Sequence, residues 1–378
     1  MSLSRHLLIQ YSIIIYMEFT ELTLVEFKQA KFSSNNFLQA SEMYQRYQDL
    51  GRESYLVGLK NPEGQILAAG LILGRPWHFG RKCFRIAGGW LMDYNADNHL
   101  DVLKAITKGA REFCRQKKAI VLTVMPKIVR EVTDRQDTVP EEDHQHTELQ
   151  SEFEQLGYKY LGEFEQLKWH YQLYLKGRQP DELFASFREG HRRQIRKAQK
   201  LQIRLREVDA KDAELFKSIV AETGERQKFQ DPPAEYYSSM KRRFGNHARL
   251  MIAEIPADQL PEDDQATAID GYVPTTAAMF LYDDNELSYL YGGSIRKFQK
   301  YGGAHLLQWS MIQEAIKKGY DNYNFYGVKP FADNGVYIFK QGFRGHVEEL
   351  VGTFALPIGL LGKLYVSRLK PLKFRDVN

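Results

Sequence analysis

Apolar and polar positions along the first 160 residues follow the pattern of a mixed α/β unit. Residues 41–50 read as a helix, and SYLVGLK and QILAAGLILG read as two strands joined by the turn Asn61-Pro62-Glu63-Gly64. A third strand surrounds Phe84 to Ala87, and Leu100 to Gln116 spaces its apolar residues as an amphipathic helix does. AIVLTVMP, 119–126, is a continuous apolar run, which predicts a buried strand ending at Pro126. The polar stretch 131–150 reads as a solvated loop leading into a helix, and after a Leu-Gly-Tyr turn at 156–158 the domain boundary falls at Trp169-His170.

The second half opens with a basic helix. Between His191 and Arg206 lie Arg192, Arg193, Arg196, Lys197, Lys200, Arg204 and Arg206, with no acid among them. Further on, an aromatic strand around Tyr289 to Tyr291 ends at Gly292-Gly293. A basic loop leads to Gln299-Lys300-Tyr301-Gly302-Gly303-Ala304, and Ala304, Leu307, Met311, Ile312, Ala315 and Ile316 then share a helical face. Lys317, Lys318 and Gly319 stop that helix. Two more strands are expected, Tyr320 to Tyr326 and Val336 to Phe343, and the second holds Phe339-Lys340 in an apolar-aromatic run where a lysine is out of place. The tail from Leu350 reads as a strand, a loop and a basic amphipathic helix.

With 378 residues and 43% hydrophobic content the chain exceeds one core, so two globular domains are expected. The net charge of +4 neither demands nor excludes a nucleic-acid partner, which leaves the decision to its distribution. Cys83 and Cys114 are the only cysteines and lack metal-ligand spacing, which implies a reducing compartment and no metal. His144 and His146 sit among acids, but no third ligand recurs nearby and a solvated loop is the plainer reading. Residues 1–16 are too short an apolar stretch to span a bilayer, lack a signal-peptide cleavage pattern, and read as an extension before Met17.

Three features carry chemistry, each beside a plainer alternative. A strand, a glycine turn and a helix N-terminus make an anion site of Gln299, Gly302 and Gly303, similar to the pyrophosphate loop of GCN5-related acyltransferases; glycines spent on tight packing would look the same. The cluster Arg192, Arg193, Arg196, Lys197 and Lys200 is either a solvated face or a phosphate-binding one, and the absence of acids favours phosphates. In the tail, Lys363, Arg368, Lys370 and Lys373 accompany Leu361, Leu364 and Val366, so that helix either packs on the first domain or lies on a membrane surface.

Four blocks in this order, YLYGGS at 289–294, GGAHLLQW at 302–309, DNYNFYGV at 321–328 and VYIFKQGF at 336–343, resemble the Fem (FemABX) family of peptidoglycan bridge-forming aminoacyltransferases. Phe37-Leu38-Gln39 and Leu56 to Asn61 add to a resemblance that covers residues 17 to about 375. It implies two GNAT-like α/β domains with mixed sheets flanked by helices: 17–168 plus the returning tail 352–378, and 169–351 with the catalytic strand. The acidic, proline-broken stretch 254–270 cannot form the coiled-coil arm of many members. The implied reaction moves an aminoacyl group from aminoacyl-tRNA, with no cofactor, to the stem-peptide amine of a UDP-MurNAc-pentapeptide or lipid-linked precursor. The implied location is the cytoplasm or the inner face of the membrane. Lys340, with Phe339 shaping its pocket, is the implied catalytic residue. Tyr291, Arg226, Tyr236, Gln39 and Arg46 are the implied precursor contacts, and the basic helix is the implied tRNA contact. Two departures stand out: Tyr47, beside Arg46, replaces a lysine, and Met125 replaces an aspartate, which removes a candidate base. The rival readings are an acyl-CoA-dependent N-acyltransferase and a tRNA- or precursor-binding protein without chemistry.

Overall fold

In the computed structural model of the chain, residues 17–137, 146–165, 167–227, 231–330 and 333–370 are described, without the side chains of residues 226 and 227. They fall into two compact units, one from Met1–Glu131, Glu142–Lys168 and Glu349–Asn378, the other from Val132–Glu141 and Trp169–Glu348. Each unit is built on an eight-stranded mixed sheet.

In the first unit seven strands run, neighbour to neighbour, Glu18–Glu21, Ser54–Lys60, Ile66–Pro76, Lys82–Gly88, Ala119–Pro126, Thr353–Pro357 and Lys159–Gly162, and the short eighth, Leu91–Met92, pairs with Ile66–Pro76 off this path. Ala119–Pro126 is buried at every position, because both faces of the sheet are covered there. Phe84, Leu122 and Leu356 point into the core under the helix His99–Gln116. Their neighbours Cys83, Val121 and Ala355 point to the opposite face, where Val366 of the helix Gly359–Arg368 meets them. Gly362 makes that contact possible, since a Cβ there would lie 2.1 Å from the carbonyl oxygen of Ile120. The tail thus supplies an interior strand and a covering helix to a sheet begun more than two hundred residues earlier.

The second sheet runs Arg204–Val208, Ala248–Pro256, Tyr272–Asp283, Glu286–Ser294, Asn322–Gly327, Trp169–Tyr174, His346–Leu350 and Val129–Thr133. Glu286–Ser294 and Asn322–Gly327 are parallel, joined by the crossover helix Gly303–Lys317. Their register holds over only three pairs, Glu286 with Asn322, Leu287 with Tyr323 and Ser288 with Asn324. Beyond Ser288 no ladder pairing joins the two strands among the described residues, and the C-terminal ends of diverging parallel strands are where α/β sheets open crevices for ligands.

Three sequence expectations are corrected. The basic run is a helix only over Glu189–Lys200; Arg204 and Arg206 lie on the following strand, where both bridge to the buried Glu254, at 2.8 and 2.7 Å. Val336 to Phe343 is not a strand. Asn334 caps the Tyr337 N–H and starts the helix Gly335–Gln341, with Tyr337 and Lys340 buried at three-residue spacing. The stretch 131–150 is not wholly a solvated loop: Val129–Thr133 is a strand, and Asp134 and Asp137 are tied into the second unit, which the sequence pattern begins at residue 169. His144 lies outside the described residues. The stretch 254–270 forms one turn, Ala257–Gln259, and the short helix Glu262–Gln265.

Candidate active site

The short helix Gly335–Gln341 turns Lys340 inward, where it is 4% exposed. Its ammonium donates to the carbonyl oxygens of Gly327, at 2.6 Å, and Tyr326, at 3.3 Å. No ion pair among the described residues includes Lys340, and burial alone pulls its pKa down to about 7. An ammonium has three donors, so one remains beyond these two carbonyls.

The carbonyls are aimed by an irregularity of the strand. Tyr326 sits in the left-handed region at φ 63°, where the pairing of Asn322–Gly327 with Trp169–Tyr174 shifts register. A bulky residue is strained there and needs support from its neighbours. Asn324, fully buried, supplies it: its side-chain oxygen accepts from the Tyr326 N–H at 2.6 Å and its amide donates to Glu286 at 3.0 Å. The His170 ring lies against Tyr326 with centroids 4.6 Å apart. Glu286, Asn324, Tyr326 and Lys340 therefore form one continuous hydrogen-bonded path beside the diverging strands. Sequence reasoning reaches the block 321–328 without singling out Asn324 or Tyr326; the available signal is a polar Asn inside an aromatic strand.

The far side of the helix is held by two other elements. Asp134 accepts from Tyr337 Oη and, at 3.1 Å, from Gln341 Nε2, and Arg188 donates to Gln341 Oε1. Phe339 packs edge-on to His305 and Phe343, and its carbonyl accepts from His191 Nε2 at 2.8 Å. His191 opens the basic helix, so that helix and the lysine helix are joined directly. Burial, then the neighbouring His191, pulls the His305 pKa down to about 3, and the ring stays neutral.

On the basic helix Ile195 and Ala198 face the core while Arg193, Arg196, Lys197 and Lys200 are exposed. Arg192 donates to the Ala185 carbonyl, Arg196 lies over the Phe184 ring and Lys197 donates to the Lys300 carbonyl. None of these five cations joins an ion pair among the described residues. The turn Gln299 to Gly303 lies under this helix. Gly302, at φ 83°, precedes the helix Gly303–Lys317, and a Cβ on it would come within 2.5 Å of the Gln194 carbonyl oxygen. Close packing therefore accounts for Gly302.

Among the expected precursor contacts, Tyr291 and Tyr236 are brought together, ring centroids 5.4 Å apart and edge-on. Arg226 lies in the last turn of the helix Ala213–Gln227. Gln39 is corrected. Its buried amide bridges two strands, accepting from the Leu71 N–H and donating to the Ala87 carbonyl, both at 2.5 Å, and this pinning occupies it. Arg46 is buried as well, in the first unit, instead of lying open for a ligand. Met125 is buried, and no carboxylate replaces the missing base at that position.

The FemAB family model matches residues 19–269 and 262–365. Aminoacyltransferase FemA of Staphylococcus epidermidis is 23% identical over 420 residues, covering 94% of this chain and all of that protein. The crystal structure of FemX superposes with a TM-score of 0.75 at 17% identity, covering 93% of this chain and all of that one. A tandem GNAT protein from the clavulanic acid biosynthesis pathway superposes with a TM-score of 0.51 at 11% identity, covering 91% and 99%. These two likenesses establish the fold, a pair of GNAT-like α/β units.

Proposed function

The chain belongs to the FemAB family and is an acyl-transferring enzyme, and from that premise we propose that it moves an aminoacyl group from aminoacyl-tRNA to the stem-peptide amine of a peptidoglycan precursor, in interpeptide bridge synthesis. The reaction is aminolysis of an activated ester. The amine nitrogen bonds to the ester carbonyl carbon, the carbonyl oxygen takes up negative charge, and collapse breaks the bond to the ribose oxygen. The proton lost by the amine ends on that oxygen. No covalent nucleophile is required; what is required is alignment, a cation for the oxyanion and an acid for the leaving group.

The observation that carries this reading is Lys340. With a pKa near 7, no acidic partner among the described residues and one donor beyond the two carbonyls, it can stabilise the oxyanion as a cation or hand a proton to the departing ribose oxygen. Phe339 shapes the pocket. The amine's proton passes by way of a hydroxyl or phosphate group of the substrates to the ribose oxygen, or back to Lys340 where the lysine has protonated that oxygen, since Met125 offers no base. Arg192, Arg193, Arg196, Lys197 and Lys200 hold tRNA phosphates, which position the donor without reading its sequence. Lys300, whose carbonyl accepts from Lys197, is an exposed cation at the turn with Gln299 and Gly303, its ammonium over the Tyr301 ring. Tyr291, Tyr236 and Arg226 hold the precursor, whose diphosphate suits an arginine fork. Both substrates are cytoplasmic or face the cytoplasm, which is the location this reading assigns; no helix among the described residues is long and apolar enough to cross a membrane.

The test is turnover of a Lys340→Met variant, which keeps the aliphatic stem and removes the charge. A fall of roughly 100- to 1,000-fold, with substrate binding little changed, is expected for the loss of one oxyanion donor. Near-normal turnover in the folded variant would end the proposal for Lys340.

A further inference from the structure

Eight large hydrophobic side chains among the described residues are exposed, and four of them, Phe79, Leu360, Leu361 and Leu364, belong to two neighbouring segments of the first unit. One segment is the helix Gly359–Arg368. Its inner side, Gly362 and Val366, rests on the sheet, while Leu360, Leu361 and Leu364 are 76%, 41% and 53% exposed on its outer side. The other is the tip of the hairpin between Ile66–Pro76 and Lys82–Gly88, where Phe79 is 98% exposed at φ 55°. The segments touch: the Trp77 ring meets Tyr365 edge-on, with centroids 5.8 Å apart.

An aromatic ring held in a left-handed turn with almost no burial gains nothing for the fold. The exposed charges on the two segments themselves are of one sign, and the acids nearest in space are each taken up by cations of the hairpin strands, Glu165 by Arg75 and Arg85 and Glu53 by Lys82. Lys363, Arg368 and Lys370 flank the leucines and Arg81 follows Phe79, all exposed, and neither 75–82 nor 350–370 contains an acid. A second copy of the same face would set cation against cation. A surface that is apolar beneath and anionic at its rim fits both features.

We propose that this face docks on an anionic lipid bilayer, with Phe79 and the three leucines entering the boundary between headgroups and acyl chains and Lys363, Arg368, Lys370 and Arg81 meeting lipid phosphates. Docking would hold the enzyme where lipid-linked acceptors lie. It does not depend on Lys340 or on the identity of the donor.

The full chain is sedimented with vesicles of pure phosphatidylcholine and with vesicles that also contain phosphatidylglycerol. Binding to the anionic vesicles only, weakening as salt rises, is expected. The triple variant Phe79→Asn, Leu360→Ser, Leu364→Ser should bind at least roughly 100-fold more weakly, and Lys363→Ala roughly five-fold. These positions are on the surface, and a matching circular dichroism spectrum shows that the variant is folded. Transfer to a soluble nucleotide-linked acceptor should be unaffected by the triple variant, which separates this proposal from the catalytic one. Absence of vesicle binding, or equal binding by the triple variant, overturns it. So does a dimer in sedimentation velocity that the triple substitution dissociates, with no lipid binding, which would make the face a contact between copies.

Discussion

Lys340 makes a prediction about stability that its chemistry alone would not suggest. A lysine whose pKa falls from 10.5 to about 7 on folding weakens the folded state wherever the unfolded chain would carry the proton. The difference of about 3.5 pH units corresponds to roughly 5 kcal/mol. Above pH 10.5 both states are neutral and the penalty is absent; it grows as pH falls and is complete below about 7, where both states are charged. Lys340→Met removes the penalty but strands the Tyr326 and Gly327 carbonyls at roughly 1–3 kcal/mol each. At pH 7 the variant should therefore lie between about 1 kcal/mol less stable and about 3 kcal/mol more stable than the parent, while losing activity. The slope is the sharper quantity. Between pH 7 and 10 the parent should gain on the variant by about 1.4 kcal/mol per pH unit, one proton's worth. Urea denaturation of both proteins at half-unit pH steps reads this directly, and groups common to both cancel in the difference. Parallel curves would show that Lys340 keeps an ordinary pKa, and the argument for a lysine poised near neutrality would fall with them.

Other consequences follow from neighbouring groups. Asn324→Leu removes the hydrogen bond that holds Tyr326 at positive φ and should lower kcat roughly ten-fold with KM little changed; an unchanged kcat would show that the path to Lys340 does not position it. Burial disfavours the charge on His346, but hydrogen bonds to Asp137 and Glu348 outweigh it and raise its pKa to about 9. Its contribution, roughly 3 kcal/mol, is full below about pH 6.5 and lost as pH rises through 9; His346→Gln should flatten that decline in pH-dependent denaturation. Removing Arg193, Lys197 and Lys200 together should weaken tRNA binding and lower the slope of log affinity against log salt by about 0.7–0.9 for each phosphate no longer neutralised. A filter-binding salt titration with an unchanged slope would return those residues to a plain solvated surface.

Most of the framework is legible because periodicity reports burial. The run Ala119–Pro126, the hairpin around Asn61 to Gly64 and the helices beginning near Ser41 and His99 stand within a residue or two of where the pattern puts them. The lysine helix reads as a strand because VYIFKQ is apolar on successive residues, which over so short a span suits either element, and Asn334 as a cap decides the matter. Arg204 and Arg206 look like a continuation of the basic helix because their partner, Glu254, is some fifty positions away. Lys340 is conspicuous as a charge among aromatics, but its carbonyl partners and the strained Tyr326 that presents one of them arise from a sheet irregularity that no local pattern encodes. Gln39 illustrates the converse: a polar residue in a matched block, occupied by backbone groups of two strands.

The central claim is most directly tested by incubating the purified protein with tRNA charged with a mixture of amino acids and with UDP-MurNAc-pentapeptide, acetyl-CoA being offered in a parallel tube, and weighing the precursor by mass spectrometry. A gain of one amino-acid residue is predicted, abolished in Lys340→Met, and its mass names the donor. A precursor left unchanged here and in its lipid-linked form, with acetylation in the parallel tube, would contradict the account and make the protein an acyl-CoA-dependent transferase.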